Sequence, residues 1–138
     1  MSDLVRLSVS IEKPLYKRLE RLVRDSGYSN RSEFIRDLIR DELVERQWEH
    51  GDEVVGTITL LYDHEVRQLS KKLTHLQHHH HDAILATTHV HLDARMCAET
   101  ILVRGKASAV RQLADQLGQQ KGVLHASLSV GSTGKELA

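Results

Sequence analysis

Histidines and the protein's single cysteine cluster between residues 77 and 97, and both residue types bind transition metals. The segment 77–82 is Gln-His-His-His-His-Asp, and His89, His91 and Cys97 follow it. Imidazole nitrogens and a thiolate sulfur are donors that late first-row metals take in proteins. The sequence therefore predicts a transition-metal site whose ligands come from several elements of the fold.

His89 and His91 lie on a predicted strand, because residues 84–92 are rich in β-branched side chains. In a strand, the side chains at i and i+2 point to one face. The run from Met96 to Val103 predicts the partner strand of a hairpin, and a three-residue loop at 93–95 would place His91 opposite Cys97. A two-residue loop would turn Cys97 to the other face. With the longer loop the hairpin offers two nitrogens and one sulfur, and the histidine cluster is the simplest source of a fourth donor.

Three nitrogens and one sulfur fit tetrahedral zinc as well as planar nickel(II) or copper(II), and spacing does not choose among these metals. One alternative is that the histidine run is a solvated, metal-scavenging tract, with His89 and His91 facing water on an outer strand face. For Cys97 the alternative is a buried side chain that only packs.

Composition limits the partners of the 138-residue chain. Its 19 basic and 19 acidic residues leave no net charge with histidine neutral, so any binding to DNA has to use a local patch. One cysteine permits no internal disulfide. No apolar stretch approaches the roughly 18 residues of a membrane span, and there is no signal-peptide pattern. We therefore expect a cytoplasmic protein with no membrane partner.

The N-terminal pattern predicts a strand followed by two helices. Residues 4–11 alternate between an apolar face, formed by Val5, Leu7, Val9 and Ile11, and a face with Leu4, Arg6, Ser8 and Ser10. The first helix begins near Pro14 and ends at Gly27, and Asn30 caps a second helix with Glu33 three residues on. About 45 residues with one strand cannot bury enough apolar surface alone, so this module has to pair with a second copy.

Two paired strands would form an antiparallel ribbon whose outer face carries Arg6, Ser8 and Ser10. The major groove of duplex DNA admits such a ribbon, and arginine and serine can bond base edges there. Residues 1–31 are modestly basic, with seven Lys or Arg against four Asp or Glu. The alternative for these three side chains is the ordinary solvent face of an edge strand.

The remainder of the chain predicts a ferredoxin-like domain. A strand at 54–62 and a helix at 64–76 precede the hairpin, and a helix and a strand at 123–130 follow it, which gives the order β-α-β-β-α-β. The predicted fold is therefore α+β, with a strand-helix-helix domain at 1–50 and a ferredoxin-like domain at 51–138. Residues 47–52 are predicted as the linker, and residues 131–138 as a frayed tail.

These features together resemble the NikR family of nickel-responsive transcriptional regulators. The resemblance rests on the ribbon-helix-helix start, the segment 27–33 (Gly-Tyr-Ser-Asn-Arg-Ser-Glu) and the spacing of the histidine run, His89, His91 and Cys97, and it covers essentially the whole chain. It implies an ACT-type regulatory domain, a homotetramer built as a dimer of dimers, and one Ni2+ per subunit. It also implies binding to double-stranded operator DNA and repression of nickel-uptake genes, without enzymatic activity.

The resemblance also assigns residues to roles. It implies that His89, His91 and Cys97 of one subunit and His78 of a neighbour bind nickel in a plane. It implies that Tyr62 and Glu99 support the site through hydrogen bonds, and that Glu33 and Asp37 help to hold a second cation. Arg6, Ser8 and Ser10 match the positions that contact bases, although relatives often have threonine where this chain has serine.

Two other classes of function remain as alternatives. A zinc hydrolase would use His89, His91 and Cys97 as ligands and an open position for water, with Glu99 as the nearby general base. A nickel-storage protein would use the histidine run to buffer metal, but it would have no use for a polar ribbon. The sequence itself does not determine the operator or the half-site spacing.

Overall fold

The computed structural model describes residues 3–138. Its elements, in chain order, are α1 Lys13–Asp25, α2 Arg31–Glu49, β1 Glu53–Asp63, α3 Leu69–His79, β2 Ile84–His91, β3 Met96–Lys106, α4 Ala107–Gly118 and β4 Val123–Val130. The chain divides into two compact units, the first ending at Arg40 and the second running from Asp41 to Ala138. Among the described residues, no helix is both long enough and apolar enough to span a bilayer.

The predicted start and end of the first helix and the predicted start of the second are confirmed within a residue or two. Pro14 stands in the first turn of α1, where its missing N–H costs no hydrogen bond. Gly27 follows the helix with φ of 75°, a left-handed conformation that glycine adopts without strain. Asn30 caps α2, because its Oδ1 accepts the backbone N–H of Glu33 at 2.9 Å. Local chemistry therefore determines where α1 begins and ends and where α2 begins.

The segment predicted as the first strand forms neither helix nor strand in the single chain, and residues 3–11 are exposed throughout. Val5 is 90% exposed, Leu7 78% and Val9 70%. A strand needs a neighbour to satisfy its backbone N–H and C=O groups, and nothing within residues 3–138 pairs with this segment. The alternating apolar face is thus left uncovered in an isolated chain.

The second unit contains a four-stranded antiparallel sheet in the order β2-β3-β1-β4. With helices α3 and α4 inserted after β1 and β3, this is the predicted β-α-β-β-α-β arrangement, which is confirmed. The buried core comprises strand residues Val54, Ile58, Leu60, Ile101 and Val103, and helix residues Leu69, Leu73, Val110, Leu113 and Leu117. The rigid sheet therefore presents Cys97 and Tyr62, paired across β3 and β1, at one end of its buried face.

Helix α3 begins at Leu69 rather than near His64 as predicted. After β1, the Asp63 carboxylate accepts the backbone N–H of Glu65 at 2.9 Å, which makes a tight turn. Gln68 then adopts φ of 65°, in the left-handed region that an α-helix does not enter. The turn shortens the helix at its start, while the helix extends further than predicted, into the histidine run at His79.

The predictions of a linker at 47–52 and of a frayed tail at 131–138 are wrong. Helix α2 continues to Glu49, and Trp48 is only 4% exposed. The indole N–H of Trp48 donates to the carbonyl of Gly131 at 2.8 Å, and the Gln47 amide donates to the carbonyl of Lys135 at 2.9 Å. Burying an indole removes about 200 Å² of surface from water, which orders both the helix end and the tail.

Replacing Trp48 with phenylalanine is expected to lower the free energy of unfolding by about 1 kcal/mol, because the Gly131 carbonyl loses its donor while most of the aromatic packing remains. Urea denaturation at a fixed protein concentration measures this change. The matched control is His50→Ala, an exposed site two residues away. Equal stability of the Trp48 variant and the control would show that the tail contact contributes nothing.

Candidate metal centre

The β2–β3 hairpin places two histidines beside a buried cysteine. His91 lies directly opposite Cys97, as the three-residue loop predicts, and His89 lies opposite Glu99. The Asp93 carboxylate stabilises the loop, because its Oδ1 accepts the backbone N–H groups of Arg95 and Met96, both at 2.8 Å. These two hydrogen bonds hold the pKa of Asp93 below its usual value. The loop therefore sets the register that brings the donors together.

The donor atoms of His89, His91 and Cys97 all lie within 4.8 Å of one another. The Cys97 Sγ is 3.2 Å from the His91 Nδ1. Metal bonds to nitrogen and sulfur are about 2.0–2.3 Å long, so ligands that share an ion lie about 3–4 Å apart. Two imidazoles and a thiol at this spacing fit a late first-row transition metal.

Cys97 is fully buried, and burial raises the pKa of its thiol. The negative charges of Asp93, Glu99 and Asp63 raise this pKa further. A nearby cation has the opposite effect, because it stabilises the thiolate. The local electrostatics are thus suited to a positive ion beside the sulfur.

Tyr62, on β1, reaches the ring of His89 on β2 across the intervening strand β3. Its hydroxyl oxygen lies 3.1 Å from the His89 Nδ1. Burial, followed by the negative charges of Glu99 and Cys97, raises the pKa of Tyr62 to about 12, so the phenol stays protonated. Its oxygen can accept a hydrogen bond from the Nδ1–H of His89, and that tautomer leaves the His89 Nε2 lone pair free for a metal.

Glu99 connects the sheet to the end of helix α3. It is 7% exposed, and its Oε1 accepts the side-chain N–H of Gln77 at 3.2 Å. The Thr87 hydroxyl donates to the Oε1 of Gln77 at 3.4 Å. Sequence reasoning assigned no role to Gln77, although its place directly before His78 was the available signal.

Comparisons with known proteins match both units of the chain. Residues 5–46 match the ribbon-helix-helix proteins of the copG family, and residues 55–130 match the NikR C-terminal nickel-binding domain. The chain belongs to the NikR family. A relative from Geobacter sulfurreducens is 53% identical over 138 residues, covering 99% of each chain, and one from Pyrococcus abyssi is 48% identical over 136 residues, covering 98% of this chain and 99% of the relative. Both are provisionally named nickel-responsive regulators.

A solved structure supports the fold alone. An uncharacterized protein from Thermotoga maritima superposes with a TM-score of 0.52 at 15% identity, covering 57% of this chain and 98% of its own.

The NikR family is a family of transcription regulators, which bind nickel through the C-terminal domain, and this is not a class of enzyme.

In this NikR-family chain, His78 lies apart from the other predicted nickel ligands. It is exposed in the last turn of α3 and does not belong to the group formed by His89, His91 and Cys97. Its backbone carbonyl lies 3.1 Å from the Nδ1 of His81, whose Nε2 is paired with Asp82 at 3.0 Å. A single chain therefore brings together three of the four predicted donors.

His64 is a neighbour of the site that sequence reasoning did not identify. Its ring centroid is 5.6 Å from that of His91, in an edge-to-face arrangement. Its Nε2 donates to the carbonyl of Ala94 at 2.6 Å, which ties the turn after β1 to the hairpin loop. The signal was weak, because this histidine stands 20 positions before the hairpin begins and 25 before His89.

The predicted second cation site lies in the first unit. The Tyr28 hydroxyl donates to Asp37 at 2.6 Å and Arg40 donates to it at 3.0 Å, while Arg36 lies 4.0 Å from Glu33. The Tyr28 hydrogen bond, followed by the arginines, lowers the pKa of Asp37. Each of the two carboxylates is paired with an arginine in the single chain, and their role at a second cation stays a prediction.

The predicted DNA contacts lie on the exposed N-terminal segment. Arg6, Ser8 and Ser10 alternate there with the uncovered apolar side chains, so the residue pattern of a polar ribbon face is present. The matched family region, 5–46, includes all three positions.

Proposed function

We propose that this protein is a nickel-responsive repressor of nickel-uptake genes, and that it acts on duplex operator DNA in the cytoplasm. The observation that carries the proposal is the convergence of His89, His91 and Cys97 on one face of the sheet, in a chain whose family is nickel-responsive. Repression fits a circuit in which sufficient metal stops further uptake.

One Ni2+ per subunit would be held by His89, His91 and Cys97, with His78 supplied by a neighbouring copy. Separation of His78 from the other three donors within one chain supports a ligand from another subunit. Bound nickel would supply a link between two subunits. The Tyr62 hydroxyl and the Gln77–Glu99 hydrogen bond would keep the ligand-bearing strands and the helix end in place.

The exposed segment 4–11 would pair with its counterpart in a second chain. Pairing would cover Val5, Leu7 and Val9 and satisfy the backbone groups of both strands, and it would leave Arg6, Ser8 and Ser10 on the outer face. Two such dimers would be joined through the second unit into a homotetramer. Glu33 and Asp37 would bind their cation only with ligands from outside the first unit.

Metal and DNA binding must then be coupled through one equilibrium. The arrangement of the chains that fits DNA has to be the arrangement with the higher nickel affinity, and the coupling is reciprocal. Operator DNA is therefore expected to raise the nickel affinity by the same factor by which nickel raises the DNA affinity.

The proposal is tested by fluorescence anisotropy of labelled DNA from upstream of the neighbouring genes, titrated with protein at fixed salt, with and without one equivalent of Ni2+ per chain. We expect nickel to raise the affinity at least about tenfold, within the range of allosteric couplings. The gain should be absent in Cys97→Ala and present in His125→Ala, which alters an exposed histidine on β4. Tight nickel binding without a DNA response would point to metal storage instead.

Replacing Arg6 with alanine is expected to weaken operator binding about tenfold or more, because each arginine–base contact contributes about 1–3 kcal/mol and every chain carries one. The matched control is Arg21→Ala, which removes the same charge from an exposed position on α1. If both variants lose equal affinity, the effect of Arg6 is general charge attraction and not a base contact. Nickel affinity should not change in either variant.

A further inference from the structure

A second pair of histidines lies on helix α3, separate from the four proposed nickel ligands. His75 and His79 are four residues apart, so they lie one helical turn apart on the same face, and both are exposed. Their Nε2 atoms approach to 3.0 Å, with ring centroids 4.4 Å apart and ring planes at 87°. Neither side chain has a role in the core or in the nickel site.

The distance between these two nitrogens suits a shared metal ion. With metal–nitrogen bonds of about 2.0–2.1 Å, two adjacent ligands at a right angle lie about 3.0 Å apart. Without metal, one proton can join the same two atoms in an N–H···N hydrogen bond, which explains the contact in the single chain. A divalent cation would replace that proton, and both exposed rings can turn to aim their lone pairs at it.

We propose that His75 and His79 form a second transition-metal site on the outer face of α3, weaker than the site at Cys97. Two histidines at i and i+4 are the spacing by which helical motifs hold zinc. Once one imidazole has bound the metal ion, the second is already held close to it, so the pair has a higher affinity for the metal than a single histidine. Water would complete the coordination. Imidazole donors suit Ni2+, Zn2+ and Cu2+, with Cu2+ the tightest of the three.

The surroundings of the pair explain why it would fill second. Lys71 and Lys72 stand one turn before His75, and their positive charges oppose a dication. The pair also provides no sulfur or carboxylate. Among the other histidines of the run, His81 is engaged with Asp82, so His80 is the natural comparison.

The test is a titration of the full-length protein with Ni2+ against a coloured competing chelator of known affinity, repeated with Cu2+. The wild type should take up a second equivalent per chain after the first. In His75→Gln the affinity for this second equivalent should fall at least about tenfold, to that of a single imidazole, with the first equivalent unchanged. His79→Gln should match it, because either substitution leaves one imidazole and breaks the chelate.

The control is His80→Gln, which removes another histidine of the same run. If the second equivalent is absent from the wild type, survives in His75→Gln, or weakens equally in His80→Gln, the proposed pair is wrong. The result does not depend on the regulatory site. Loss of the first equivalent in Cys97→Ala reports on that site, and loss of the second in His75→Gln reports on this one.

Discussion

Replacing Cys97 with alanine is expected to lower the nickel affinity of the protein at least about a hundredfold. Loss of a hydrogen-bond partner of a ligand already costs about 10–100-fold, and Cys97 would be a ligand itself. Its sulfur lies 3.2 Å from the His91 Nδ1 and is the one soft donor in the group. Chelator competition measures the affinity, and the near-ultraviolet absorption of a nickel thiolate should disappear with it.

A second test is His89→Ala, which removes one of the proposed nitrogen donors. Its matched control is His125→Ala, because both variants remove an exposed histidine from a strand of the same sheet. Only His89→Ala should lose nickel. Thermal unfolding without metal verifies that each variant folds. Nickel affinity that is unchanged in Cys97→Ala would show that the hairpin donors are not the nickel site.

A mixing experiment tests whether His78 acts from a neighbouring subunit. Chains with His78→Ala and chains with His89→Ala should each lose tight nickel binding. In mixed oligomers, a His78→Ala chain keeps His89, His91 and Cys97 and can receive His78 from its partner. We therefore expect mixing to restore tight nickel sites. If verified mixed oligomers do not regain tight nickel binding, His78 either binds nickel within its own chain or is not a nickel ligand.

Replacing Leu7 with aspartate is expected to separate the N-terminal strands of paired chains. Burying each leucine contributes about 1.5–3 kcal/mol, and a pair contains two copies, so the pairing equilibrium should weaken at least about a hundredfold. An unpaired carboxylate in the interface adds to the loss. Hydrogen exchange is the direct measurement, because the amides of residues 5–11 should be protected in the wild type and exchange freely in the variant.

The matched control is Ser8→Asp, which adds the same charge one residue away on the opposite face. Its strand amides should stay protected, although its affinity for operator DNA should fall because the added charge faces the phosphates. Equal exchange in the two variants would mean that the face with Leu7 is not buried by a second chain. The mass of the oligomer is not a suitable readout, because contacts of the second unit are proposed to hold the oligomer together even when the N-terminal strands separate.

Local patterns predicted much of the fold and part of the site. The caps at Asn30 and Gly27 and the period-two alternation in the strands depend on neighbours in sequence, so they can be recognised without tertiary structure. For the hairpin, the sequence left two loop lengths open, and the structure has the three-residue loop at 93–95, which sets His91 opposite Cys97. A strand at 4–11 was predicted from the same alternation, but residues 3–138 contain no segment that pairs with it.

Contacts between residues distant in sequence decided the rest. Trp48 and Gly131 are 83 positions apart, and their hydrogen bond turned a predicted linker and tail into ordered structure. The Gln77–Glu99 contact spans 22 positions and assigns an amide to the site that no motif indicated. The sequence by itself determined which donor atoms are present and limited the hairpin to two arrangements of them, because the loop length fixes which side chains face each other. The tertiary structure alone decided which side chains support those donors, because that depends on which distant surfaces pack together.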